Sequence, residues 1–309
     1  MMTPRVTRTY LAVPAHRMRM VQGAAVSAAD AVFMDLEDAV PLAEKAAALQ
    51  EAVTALTTLD WGRKTVTVRL NAIDSPTIRN EIVQLAGLAR LDAVIVPKAE
   101  RVADIATIGG WIRDASAARA KPVEMELLIE TALGLVNVET LATADPLVAA
   151  LHLGVGDFAA SIGARSTEIG ASPAGYQHIG GATDGHPRVP LDLFAYPMMR
   201  LLVAARAFGL RAIDGPCGAF RDEVVTAATA TKAAAMGFDG KQVIHPSQIE
   251  PTRKAFIPSG PELADARRTI AAMEAAERAG QGAVTLDGKM IDYANLRMVQ
   301  RLLRFQDPD

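Results

Sequence analysis

The sequence predicts an α/β fold: a (β/α)8 TIM barrel over residues 1–257 with a C-terminal helical extension over residues 258–309. Three observations predict it. Short apolar runs alternate with longer, Ala-rich amphipathic stretches, the pattern of repeated βα units. About eight such repeats fall within roughly 250 residues, the size of one barrel. Half of the 309 residues are hydrophobic and 22% are charged, a balance that supports a large core and argues against disorder.

The predicted strands, in order, are Tyr10–Ala15, Ala31–Leu36, Thr65–Leu70, Ala93–Pro97, Glu126–Ile129, Ala150–Val155, Arg211–Asp214 and Gln242–His245. Each is a nearly continuous apolar run, as expected where helices cover a parallel sheet. Helices are predicted between them, among others at Leu42–Leu56, Val102–Ala118, Leu193–Phe208 and Asp222–Met236. Pro41 suits entry into a first helical turn, and Gly209 and Gly237 suit helix C-termini. An open, doubly wound sheet is the alternative. It loses ground because the turn after the first strand reads VPAHRMRM, with no GxGxxG.

Two segments break the repeat. One is Phe158–Pro190, rich in Gly, Ser and Pro; a loop of that length inside a domain is usually functional or mobile. The other follows Ile257: a helix over Glu262–Ala279, a short strand in AVTLDG, and a terminal helix to about Phe305. That strand cannot be stable alone and must pack on something.

Composition excludes several function classes. The net charge is −3, with basic residues spread along the chain, which is not the footprint of a nucleic-acid binder. Cys217 is the single cysteine, so neither an intrachain disulfide nor a Cys-based zinc site can form. Charges interrupt the N-terminal MMTPRVTRTYLAVPAHR, and no apolar run reaches the ~20 residues of a membrane span. The expectation is a cytoplasmic protein with neither membrane nor nucleic acid as a partner.

Polar residues cluster at the strand ends: Asp35, Glu37 and Asp38; Arg69 and Asn71; Lys98; Glu130; Asp157; Asp214; His245. In a TIM barrel these ends converge on one face, where active sites are built. Carboxylates from separate strands suit a hard divalent ion such as Mg²⁺, and the histidines lack a zinc-binding spacing. An arginine on the same rim can grip a carboxylate through two parallel hydrogen bonds. Together they form a workable device for a 2-oxo acid. Arg69 pairing structurally with Glu37 or Asp38 is the competing reading. Lys98 and Asn71 either line the site or make structural hydrogen bonds, His245 shapes the rim, and Trp61 and Trp111 pack.

YLAVPAHR, MDLEDAV, TVRLN, VPK, LIET, GVGDF, IDGP and GKQVIHPSQI occur in an order that resembles the citrate lyase β-subunit/malyl-CoA lyase family, which is HpcH/HpaI aldolase-like. The resemblance spans Tyr10 to about Leu303, and RSTEIGASPAGY lies nearer the malyl-CoA lyase branch. It implies a carbon–carbon lyase that splits a 3-hydroxyacyl-CoA (malyl-CoA, β-methylmalyl-CoA or citramalyl-CoA) into glyoxylate or pyruvate and acetyl- or propionyl-CoA. The implied cofactor is Mg²⁺, with Mn²⁺ as a substitute, and coenzyme A enters as part of the substrate. By resemblance Glu130 and Asp157 are metal ligands, and Arg69 holds the 2-oxo acid carboxylate. Glu37 and Asp38 lie near the metal's waters, Glu37 toward the substrate and Asp38 with a catalytic part. Asn71 and Lys98 line the substrate site, and Arg17 contacts the CoA phosphates. A lysine common in the family is replaced by the Gln22–Gly23 region, with Arg19 nearby.

GKMID resembles the family's lid motif, in which Asp292 is the acid/base; as a helix N-cap Asp292 has a second, compatible role. The resemblance further implies a homo-oligomer, trimer or hexamer, that exchanges lids between subunits. A malyl-CoA thioesterase and a citrate lyase β-like component acting on an acyl-carrier protein are the alternatives.

Overall fold

Alternate residues of a strand point to opposite faces, and the apolar runs use both. Eight parallel strands, β1 (Thr9–Pro14), β2 (Ala31–Asp35), β3 (Thr65–Arg69), β4 (Ala93–Val96), β5 (Glu124–Ile129), β6 (Val148–Leu153), β7 (Arg211–Asp214) and β8 (Gly240–Val243), close into a barrel in sequence order. Tyr10, Ala31, Phe33, Ile95, Leu128 and Ile213 form one buried cluster. Their neighbours Leu11, Val32, Val94, Leu127 and Ala212 have the opposite parity and are also buried. Burial on both faces is why the runs read as continuous. Truncating Leu127 to Ala would cost about 2–5 kcal/mol.

This computed structural model describes residues 6–180 and 188–306. They fall into two compact units, Thr7–Thr252 and the residues from Arg253 onward together with Val6. All eight predicted strands are present, with β5, β6 and β8 each starting two residues earlier than expected. Asp222 caps the helix Glu223–Met236 by accepting from the Val225 N–H, and Gly237 ends it in the left-handed conformation, φ 104°.

The Phe158–Pro190 segment differs from a plain loop. A helix, Val155–Ser161, carries Asp157 in its first turn, and a ribbon pairs Gln177–Ile179 with Arg188–Pro190. Residues 181–187 of that segment lie outside the described residues.

In the second unit, Ser259 and Glu262 form a capping box at the start of the helix Gly260–Arg278. The predicted single strand is half of a hairpin, β9 (Ala283–Leu286) against β10 (Lys289–Asp292). Its turn residues Asp287 and Gly288 both have positive φ, 51° and 76°, the conformation that Asp-Gly supplies in two-residue hairpins. The terminal helix is Tyr293–Leu302. Among the described residues no helix is long and apolar enough to cross a membrane.

Candidate active site

β2 and β3 end in register, with Asp35 beside Arg69. Arg69 donates from Nε to Asp35 Oδ1 and from Nη2 to Oδ2, both at 2.7 Å. Its Nη1 lies 3.1 Å from Glu37 Oε2, and its guanidinium sits 5.9 Å from the centre of the Phe33 ring. Asp35 also accepts the backbone N–H groups of Glu37 and Ala39, at 2.9 and 3.0 Å, so the chain after β2 winds around this carboxylate. Burial alone would raise the Asp35 carboxyl. The hydrogen bonds and charge of Arg69, with the two amides, outweigh it and hold the group below its ordinary value. Of the two structural partners expected for Arg69, Glu37 is close, but the main partner is Asp35. Asp38 is exposed and lies 3.5 Å from Lys98 Nζ.

Glu130 follows β5 and is 2% exposed. Its Oε1 accepts the backbone N–H of Lys98 at 2.8 Å. Lys98 adopts φ 48° to make this bond, a left-handed conformation that costs a non-glycine residue about 1–2 kcal/mol. Its ammonium reaches back to Glu37 Oε1 at 2.6 Å. On the other side, a Cβ at Gly154 would stand 2.3 Å from Glu130 Cβ and 2.6 Å from Oε2. Glycine is what lets Glu130 lie there, and Asp157 follows three residues later.

Five carboxylates (Asp35, Glu37, Asp38, Glu130 and Asp157) thus gather around two cations, Arg69 and Lys98. Burial, and then the charge of Glu37, push Glu130 up to about 8, with Asp157 adding to the effect and Arg69 and the Lys98 amide opposing it. Burial also raises Glu37, against Arg69 and Lys98. A divalent cation would relieve this excess of negative charge. Among the described residues no three His, Cys, Asp or Glu side chains form a complete metal cage. An ion held by Glu130 and Asp157 would therefore complete its shell with water and ligand oxygens, which fits Mg²⁺ and not zinc.

The cleft over these groups has a volume of about 400 Å³. Asp35, Asp38, Arg69, Glu130 and Asp157 line its polar side, and Ala12, Phe33 and Leu128 lie deeper. Not every expected residue is brought there. Asn71 is turned to Glu81, donating from its side chain at 2.6 Å and its backbone at 3.0 Å, and is not a lining residue. Arg17 is exposed at the start of the helix Met18–Ala25, outside the cleft lining. Asp292 belongs to the second unit, where it caps the helix Tyr293–Leu302 and forms a capping box with Asn295. Asp214 anchors the buried Lys241 at 2.6 Å. His245 Nδ1 accepts the Ser247 N–H at 3.2 Å, Cys217 is buried, and Trp61 is buried with its indole N–H on the Ala55 carbonyl.

Sequence reasoning missed the clamp made by Asp35, the backbone role of Lys98 and the cradle at Gly154. It also missed Glu126 and His152, both fully buried inside the barrel. Their signal was a polar residue in the middle of an apolar strand, a more telling observation than a polar residue at its end.

Comparison with known proteins agrees with this architecture. Residues 8–246 match the family HpcH/HpaI aldolase/citrate lyase. An L-malyl-CoA/beta-methylmalyl-CoA lyase of Cereibacter sphaeroides is 36% identical over 304 residues, 97% of this chain and 94% of that one. A (3S)-malyl-CoA thioesterase of the same species is 36% identical over 293 residues, 94% of this chain and 91% of that one. The crystal structure of CitE from Mycobacterium tuberculosis, in complex with magnesium, acetoacetate and coenzyme A, superposes with a TM-score of 0.74 at 33% identity, covering 97% and 98% of the two chains. With this barrel and these relatives, the chain belongs to the HpcH/HpaI aldolase/citrate lyase family and is a carbon–carbon lyase.

Proposed function

We propose that the protein is a Mg²⁺-dependent lyase that reversibly splits a 3-hydroxyacyl-CoA into a 2-oxo acid and acetyl- or propionyl-CoA. The observation that carries this reading is the meeting of Arg69, fixed by Asp35, with Glu130 and Asp157 on one cleft. A divalent ion held by Glu130 and Asp157 supplies Lewis acidity to the oxygen of the hydroxy or oxo acid. Arg69 orients the acid's carboxylate, and Asp35 keeps the guanidinium from swinging away when the cleft is empty. Lys98 holds Glu130 and Glu37 in place, Glu37 faces Arg69, and Asp38 lies on the solvent side of the same group. Arg17 contacts the CoA phosphates. Asp292 moves the proton at the acyl carbon where the C–C bond breaks, from an extension that acts as a lid in a homo-oligomer. The relatives named as malyl-CoA/β-methylmalyl-CoA lyases support this substrate class.

A coupled assay with acetyl- and propionyl-CoA against glyoxylate and pyruvate, with and without Mg²⁺, tests the proposal. Metal-dependent condensation in at least one combination is expected, and none in any combination removes the reading. The thioesterase relative favours a second reading, hydrolysis of the thioester. Malyl-CoA distinguishes the two: free CoA plus malate marks the thioesterase, and acetyl-CoA plus glyoxylate marks the lyase.

A further inference from the structure

One polar side chain lies among the deep apolar residues of the cleft. Gln242, on β8, lines it together with Ala12, Phe33 and Leu128, although the residue is only 6% exposed. Gln242 Nε2 is 3.0 Å from His152 Nδ1, and His152 Nε2 is 2.9 Å from Glu126 Oε2. The same Glu126 oxygen accepts the Tyr10 hydroxyl at 2.8 Å, and Glu126 Oε1 accepts Arg211 Nη2 at 2.8 Å. The Tyr10 and His152 rings pack edge to face, 5.1 Å between centres. A chain of hydrogen bonds therefore runs from the barrel interior to the cleft.

Chemistry orders the donors along this chain. Burial opposes a charge on Glu126, but Arg211, His152 and Tyr10 outweigh it and hold the carboxyl down at about 2. An ionised carboxylate only accepts, so His152 carries its proton on Nε2. On the other side of the ring the amide nitrogen of Gln242 faces Nδ1 at 3.0 Å; an amide nitrogen only donates, so Nδ1 accepts there. The carbonyl Oε1 is left over. It has no hydrogen-bond partner among the described residues. Nor is it sealed from solvent without a hydrogen bond, as Thr7 Oγ1 and Thr252 Oγ1 are. It opens on the cleft.

We infer that Gln242 is a substrate-positioning residue whose Oε1 accepts a hydrogen bond from the hydroxyl of the hydroxy-acid end of the substrate. The inference rests on the lyase reading for its substrate class. At the reacting end of such a substrate the thioester carbonyl and the ionised carboxylate only accept, and the hydroxyl is the sole donor. The 2-oxo acid has no donor there. Gln242 therefore distinguishes the hydroxy acid from the oxo acid, a distinction that Arg69 and the metal ligands do not make.

The test is calorimetric binding of lactate and pyruvate to the full-length protein in Mg²⁺, which needs no turnover. Gln242→Met is expected to weaken lactate about tenfold, the worth of one neutral hydrogen bond, and to leave pyruvate within about twofold. Gln242→Glu keeps an acceptor at the position; its added charge acts on both acids alike, so it restores the lactate-to-pyruvate ratio. Parallel loss of both acids in Gln242→Met, selective loss of pyruvate, or wild-type protein that binds neither acid would overturn the inference. Failure of the lyase reading shows separately, as absence of turnover in the coupled assay while the lactate–pyruvate split persists.

Discussion

Lys98 holds Glu130 by its backbone and Glu37 by its side chain. The amide N–H donates to Glu130 Oε1 at 2.8 Å, and Nζ donates to Glu37 Oε1 at 2.6 Å. One residue just past β4 thereby sets two carboxylates, Glu130 after the adjacent β5 and Glu37 after β2 two strands away, and it does so from the left-handed region. Strain of this kind persists only where the surroundings over-determine it, and such places are commonly functional sites.

The strain can be separated from the ion pair. Lys98→Gly and Lys98→Met both lose the bond to Glu37, but only glycine adopts φ 48° without a steric cost. Lys98→Gly is expected to melt about 2–4 °C above Lys98→Met, the shift that about 1 kcal/mol produces in a protein of this size. Differential scanning calorimetry decides it. Equal melting temperatures would mean that the left-handed backbone costs nothing here.

Gly154 offers a test of the metal site that leaves every carboxylate in place. A methyl group there would overlap the Glu130 side chain, so Gly154→Ala forces Glu130 off its bond to the Lys98 amide. Mg²⁺ is expected to raise the melting temperature of the wild type, since a ligand that binds only the folded state stabilises it. In Gly154→Ala the Mg²⁺ concentration giving half of that rise should increase at least about tenfold, with the metal-free fold retained by circular dichroism. An unchanged Mg²⁺ midpoint would remove Glu130 from the ligand set.

Glu126 predicts an acid limit to stability. Its carboxyl is held near 2 in the folded protein against an ordinary 4.5, despite complete burial, by Arg211, His152 and Tyr10. A depressed carboxyl stabilises the fold above its unfolded value, and the contribution is lost as pH falls from about 4.5 through about 2. The shift corresponds to about 3 kcal/mol. Urea unfolding of wild type and Glu126→Gln at pH 7, 5, 4 and 3 isolates this group from the other carboxylates. The wild type should lose more stability on acidification than the variant, so the two curves converge toward pH 3. Parallel curves would show that Glu126 is not ionised in the folded state.

Much of the site was legible because its residues stand where an apolar strand breaks off. Arg69, Lys98 and Glu130 sit at or just beyond the ends of β3, β4 and β5, and the barrel topology brings such ends to one face. The partner of Arg69 was not legible. Asp35, Glu37 and Asp38 lie within four residues, and only the in-register pairing of β2 with β3 selects Asp35. Asn71 shows the reverse problem: it looks like a rim residue, but its partner Glu81 lies ten residues further on in the helix Ile78–Leu85. Gln242, His152 and Glu126 were read as parts of apolar strands, because inward-facing polar groups satisfied by one another leave the strand pattern intact. The hairpin after the long helix was within reach, since Asp287-Gly288 is a two-residue turn signal between apolar runs.

Asp292 has a structural duty that any catalytic test must respect. Its Oδ1 accepts the N–H groups of Ala294 and Asn295 at 2.8 and 3.3 Å, and Asn295 Oδ1 accepts the Asp292 N–H at 3.0 Å. Replacement by alanine removes the cap, at a cost of about 1 kcal/mol, and would blur lost chemistry with a frayed helix. Asparagine caps as well as aspartate, yet it neither gives nor takes a proton as an acid or base. Asp292→Asn is therefore expected to keep the wild-type melting temperature and to lower kcat for cleavage at least about 100-fold, the scale of a general acid–base contribution. The same variant should still bind the CoA ester. Full turnover in Asp292→Asn would leave Asp292 with its capping role alone and move the proton transfer to another group.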